Sequence, residues 1–189
     1  MAEKLNYISE TIGNGIKLNT LKTDRFKTNL FTINIITPLS EETASEFSLL
    51  TDVLTAGCEK YPSLVELGKR MADLYSASVN AFVQKKSEKQ IVVFELSLIN
   101  NEYAYDGVNL FDEGTKLLSE VMFHPYLRDG KFDEEIVERE KKNLIDSMKE
   151  RINNKASYAK DRCTEIMCEG EAFALDANGT IEKVSQSTP

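Results

Sequence analysis

The sequence predicts an α+β domain whose helices cover one face of a mostly antiparallel sheet. Three observations carry that reading. The turn Gly13-Asn14-Gly15 joins two strand-like runs near the N-terminus, and Asn-Gly between such runs is a strong hairpin signal. Further alternating runs, rich in β-branched and aromatic residues, lie at 26–37, 77–85 and 90–99. The other apolar residues recur at helical spacing. The elements come in groups, βββ-αα-ββ-α-α-α, and such grouping marks the α+β class.

In chain order, 6–12 and 15–21 read as paired strands, and 26–37 as a third, central one. Pro38 stops it. Ser40 or Thr43 caps a helix to about Ala56 carrying Phe47, Leu50 and Leu54, with Gly57 at its C-terminal end. A second helix, about 63–75, presents Leu64, Leu67, Met71 and Leu74. The strands 77–85 and 90–99 follow, joined by the charged turn 86–89. The stretch 104–123 carries Leu110, Leu117, Leu118 and Val121 and ends at His124-Pro125. Asp129 or Asp133 then starts a long charged helix through roughly residue 167, with Gly170 at its end. Thr180 caps a last short helix. The 189 residues fit a single domain. The stop at Ser187-Thr188-Pro189, after a helical pattern with no terminal strand, reads as a cut in a longer protein.

With 41% apolar residues the chain can build one core. A net charge of −8 argues against nucleic acid and against an anionic membrane surface as partners. No apolar run approaches a membrane span, and the N-terminus lacks a signal pattern, so a cytoplasmic location is expected. Cys58, Cys163 and Cys168 form no CxxC pair and read as free thiols.

The inventory of chemistry is short. The one histidine, His124, sits at a helix end, and neither GxxxxGK[ST] nor GxGxxG occurs. The carboxylates lie in runs such as 133–135 and 138–140, which read as a solvated helix face, with Glu138 attracted to Lys141 or Lys142 and repelled by Glu134.

The segment from Phe47 to Ser63 resembles the zinc helix of the M16 peptidases (pitrilysin, insulinase and mitochondrial processing peptidase). Its link Glu59-Lys60-Tyr61-Pro62-Ser63 and the following Glu66-Leu67-Gly68 are similar to that family too. So, in order, are Ala77–Phe82 (the family's GxxxNAxT strand), Glu138-Arg139-Glu140-Lys141 (its EREK) and Asp176–Val184 (its GT-x-E-x-I). Together these pieces span roughly 6–186. The resemblance implies a fold of the LuxS/MPP-like metallohydrolase type, truncated near its C-terminal end. It also implies that the first histidine, the glutamate base and the second histidine of the family's HxxEH motif fall on Ser48, Thr51 and Asp52, and the third ligand on Ser147. In active members i and i+4 place two imidazoles on one helix face, and i+3 sets a carboxylate beside zinc-bound water. Here the spacing is kept and the ligands are replaced, so no zinc and no other cofactor is expected.

The implied role is that of an inactive domain or subunit that forms a peptide-binding chamber with an active, HxxEH-containing M16 partner. Two alternatives stand beside it: a structural scaffold that binds no peptide, and a divergent zinc hydrolase using Asp52 with Glu46 or with carboxylates of the long helix. An isolated domain lacking the family's closing strands would leave a sheet edge unpaired and self-associate.

Overall fold

The computed structural model describes residues 6–105 and 107–189. The first two strands, β1 (Asn6–Gly13) and β2 (Ile16–Lys22), pair antiparallel around Asn14-Gly15, with Tyr7 opposite Leu21 and Glu10 opposite Leu18. This hairpin forms a sheet of its own, and Tyr7, Ile8, Ile12, Ile16, Leu18 and Leu21 are all exposed on it.

The main sheet holds β3 (Thr28–Pro38), β4 (Ser78–Lys86) and β5 (Lys89–Ile99) in the antiparallel order β3-β5-β4. Among the described residues the strand expected to be central, β3, therefore stands at an edge of this sheet, and β5 lies between its two neighbours. The residues explain the correction. β3 alternates Leu, Phe and Ile with Thr and Asn, the pattern of a half-covered strand, whereas the apolar run Ile91–Phe94 of β5, every residue of it buried, suits a position between two strands.

Helices α1 (Ala44–Thr55), α2 (Leu64–Asp73) and α3 (Leu110–Phe123) pack on one face of this sheet. The cross-strand rows Phe31–Leu96–Val79 and Ile33–Phe94–Ala81 meet Leu54, Leu67, Leu117, Leu118 and Val121 there. Gly114 lets α3 come down on the sheet, since a Cβ would stand 3.1 Å from Leu98. Below α3 a short hairpin, β6 (Leu127–Arg128) and β7 (Lys131–Phe132), turns at Asp129-Gly130. Then follow α4 (Glu134–Glu150), α5 (Lys155–Met167) and α6 (Ile181–Gln186). A second apolar cluster, Leu49, Val53, Val137, Leu144 and Val184, joins α1, α4 and α6. No helix among the described residues is long and apolar enough to cross a membrane.

Several boundaries differ from expectation for local reasons. The long helix to residue 167 is two helices, broken by a 3-10 turn at Arg151–Asn153, after which Asn154 caps α5 by accepting the Ser157 amide. Asparagine side chains compete for backbone groups and favour such breaks. α3 begins only at Leu110, where Asn109 accepts the amide of Asp112. Thr43 makes no side-chain cap on α1, and Ser40 instead accepts the Glu42 amide. Gly57 is needed for space rather than for a left-handed cap, because a Cβ would lie 2.9 Å from the backbone of Pro62. Thr180 does cap α6.

Asp133 caps α4 from a buried position, accepting the amides of Glu135 and Ile136 at 3.0 and 3.2 Å and pairing with Arg128 at 3.0 Å. Asp133→Ala is expected to cost about 1 kcal/mol, the usual worth of such a cap. Urea denaturation reads the change, and no loss would show that the cap is dispensable. The three cysteines are free, with Cys58 buried and Cys163 exposed.

Candidate functional site

Ser48, Thr51 and Asp52 share one face of α1 because i, i+3 and i+4 coincide on a helix. Glu140, Asn143, Leu144 and Ser147 do the same on α4 over two turns. The two faces meet, and with Phe82 and Val83 of β4 and Asn178 they line a cavity of about 350 Å³. All four positions singled out from the sequence, Ser48, Thr51, Asp52 and Ser147, are thus in one place. Glu46 is not among them. It lines a separate apolar groove with Phe47, Leu50 and Phe132, so the pairing of Asp52 with Glu46 has no geometric basis, whereas Glu140 of α4 does face Asp52. His124 is exposed at the end of α3, away from the cavity.

Both hydroxyls in the cavity floor are engaged. Ser48, 3% exposed, donates to Asn178 Oδ1 at 2.9 Å, and Thr51, 1% exposed, donates back to the Ser48 carbonyl at 2.7 Å. Burial pushes the Asp52 carboxyl up to about 6, and the nearby Glu140 carboxylate pushes it the same way. Glu140 itself is held by Arg139 Nε at 2.7 Å and Asn143 Nδ2 at 2.9 Å. Glu140 and Lys141 are each only 9% exposed. This part of the charged run is therefore buried wall rather than solvated face, although Lys141 does pair with Glu138, at 2.7 Å.

Residues 172–180 run as a strap along one side of the cavity. Lys85 Nζ donates to the carbonyls of Phe173 and Leu175, both at 2.8 Å, and its charge lies over the Phe173 ring. Gln90 Nε2 donates to Ala177 O at 2.7 Å and Ala44 O at 3.1 Å. Arg151 grips Asp176 and pairs with Asp161 at 3.3 Å and Glu165 at 3.7 Å. The Thr180 amide donates to Ser45 Oγ at 3.0 Å. Asn178, Asn143 and Phe82 escaped the sequence reading. Only Glu140 carried a signal, sitting two helical turns before Ser147 in the same charged motif.

The cavity does not suit zinc. Zinc is held by imidazole nitrogen, thiolate or carboxylate oxygen, usually with at least one of the first two. This cavity offers the neutral hydroxyls of Ser48 and Thr51, already hydrogen-bonded, the neutral hydroxyl of Ser147, and two carboxylates, one of which takes up a proton near pH 6. Neither Ser48 nor Thr51 donates to a base, so neither hydroxyl is an activated nucleophile. What it does offer is a polar recess beside β4, which among the described residues pairs with β5 alone and so stands at an edge of the sheet.

No family model matches the chain. Among curated proteins it is 30% identical over 186 residues to a probable inactive metalloprotease, YmfF, of Bacillus subtilis (strain 168), an alignment that covers 97% of this chain and 44% of that protein. Among solved structures it matches a conserved protein from Enterococcus faecalis V583 with a TM-score of 0.85 at 26% identity, over 97% of this chain and 43% of the other. It matches the peptidase M16 inactive domain from Pseudomonas fluorescens with a TM-score of 0.69 at 15% identity, over 97% and 41%. The chain spans less than half the length of each of these relatives.

Proposed function

We propose that this chain, which belongs to the M16 peptidase family as a non-catalytic member, supplies one wall of a peptide-binding chamber whose chemistry resides in a zinc-bearing, HxxEH-containing partner. The observation that carries the proposal is the cavity. The positions assigned to zinc ligands and base converge on a recess of about 350 Å³, and the recess opens beside β4, at an edge of the sheet among the described residues. A cleft kept in shape without its ligands suits holding a peptide better than cutting one. An extended peptide laid along β4 would gain main-chain hydrogen bonds from that edge, with Phe82 and Val83 as its apolar contacts.

The test co-expresses the chain with an HxxEH M16 subunit encoded beside it and measures peptide cleavage by each chain and by the pair. The expected result is a stable complex that cleaves peptide, no cleavage by this chain alone, and little by the partner alone. Phe82→Lys, at a half-exposed position, is expected to raise KM about tenfold, the equivalent of roughly 1.4 kcal/mol, without changing the melting temperature. A complex that forms while the partner cleaves equally well alone would favour a scaffold role and overturn the proposal.

A further inference from the structure

The recess between α1 and α4 holds two carboxylates, and the protein answers the charge of only one. Glu140 is met by Arg139 Nε at 2.7 Å and by Asn143 Nδ2 at 2.9 Å. Among the described residues no donor reaches the half-buried Asp52 carboxyl. The hydroxyls beside it turn elsewhere, Ser48 to Asn178 and Thr51 to the Ser48 carbonyl. No lysine or arginine lines the recess. An anion partly withdrawn from water without donor or counter-charge is held at a cost, and a cation that reaches it recovers that cost.

The rest of the lining says what kind of cation fits. Phe82, Val83 and Leu144 make part of the wall apolar, which suits a methylene stem that carries its charge at the tip. Ser147 Oγ and Asn143 Oδ1 accept no hydrogen bond among the described residues and remain for an ammonium or guanidinium group. About 350 Å³ is room for one long side chain with water around it. A bare metal ion fits less well. It needs several ligands at once, and Asp52 is the one carboxylate left unpaired. A cationic side chain needs only that one.

We infer that the recess is a specificity pocket for a lysine or arginine side chain, with Asp52 as its counter-charge. The inference rests on the peptide-chamber reading for the source of that side chain, and names the substrate as a peptide with a basic residue. Asp52 then acts as a binding residue at a position where the family's active members place a metal ligand.

Two measurements test it. In the first, the complex with the HxxEH subunit cleaves two sets of peptides that differ only in lysine against norleucine, stepped along the peptide. At one position lysine is expected to lower KM about tenfold, the effect of one hydrogen bond to a charged group. Asp52→Asn, its folding checked by a melting curve, is expected to bring the two KM values together. In the second, the chain alone is titrated with Nα-acetyl-lysine methylamide and with its norleucine counterpart, and amide chemical shifts are followed. Only the lysine compound is expected to move the Asp52 and Ser147 amides, and in Asp52→Asn neither compound does. Equal KM values at every position, or equal shifts with both compounds, would overturn the pocket and leave the chamber in place. A lysine preference that survives Asp52→Asn belongs to the partner and would overturn the pocket as well. A complex that cleaves nothing, with shifts from the lysine compound alone, would uphold the pocket and overturn the chamber.

Discussion

Gly179→Ala is expected to be among the most damaging single-atom additions to this domain, costing about 3 kcal/mol. Two effects add. Gly179 has φ +73°, a left-handed conformation that penalises any L side chain by roughly 1–2 kcal/mol. A Cβ there would also lie 2.6 Å from the Ser45 amide nitrogen and 2.9 Å from its Cα. Ser45 cannot yield, because it is buried in the first turn of α1. The strap would have to lift instead, and forced overpacking of this kind costs about 1–3 kcal/mol. Gly15→Ala provides the control. Gly15 has nearly the same φ, +76°, but nothing within 4 Å of its Cβ position, so only the backbone penalty applies. Urea denaturation should place the Gly179 variant at least about 1 kcal/mol below the Gly15 variant. Equal losses would mean that the strap gives way freely.

Asp52→Asn is expected to stabilise the domain at neutral pH and to leave it unchanged near pH 4. The folded carboxyl titrates at about 6 against 3.8 for the ordinary group, raised first by burial and then by Glu140. Between those values the folded chain holds a proton that the unfolded chain releases, so stability falls as pH rises through this window and the loss is complete above about pH 6. A shift of this size corresponds to about 3 kcal/mol. Partial exposure of Asp52 screens it, leaving about 1–2 kcal/mol. The amide carries no charge and escapes the loss. Denaturation of both proteins at pH 4 and pH 7.5 isolates the effect from other carboxylates. A variant less stable than wild type at pH 7.5 would mean that Asp52 is held as an anion by a bound cation or donor, against the reading of the cavity given above.

What could be read in advance follows from which forces are local. The helical period alone puts Ser48, Thr51 and Asp52 on one face and Glu140 and Ser147 on another, so the wall residues on α1 and α4 were legible. Caps at Asp133 and Thr180 were legible for the same reason, since a side chain two or three residues from the amide that donates to it needs no tertiary help. Asn178 and Phe82 were not. They reach the cavity through docking between segments about 130 and 30 residues from Ser48 in sequence, and no local pattern records that. The exchange of roles between β3 and β5 has another cause: alternation such as that of β3 fits an edge as well as a centre, whereas an unbroken apolar run such as Ile91–Phe94 is the stronger mark of a central position. The break at 151–154 depended on a competition between asparagine side chains and the helix backbone that composition alone does not settle.

The strap also sets a timetable for folding. Ser45 and Ser48 near the start of α1 are fastened to Thr180 and Asn178, and Gln90 to Ala177, contacts that join the first half of the chain to residues 177–180. Contacts so distant in sequence must close large loops before they return any stability, and they slow the approach to the native state. During synthesis the sheet and α3 can assemble while the polypeptide is still growing. The cavity wall on α1 cannot be completed until residue 180 has cleared the ribosome. Until then the early-made α1 keeps Ser45 and Ser48 without their final partners, in a half-built domain that other chains can still reach.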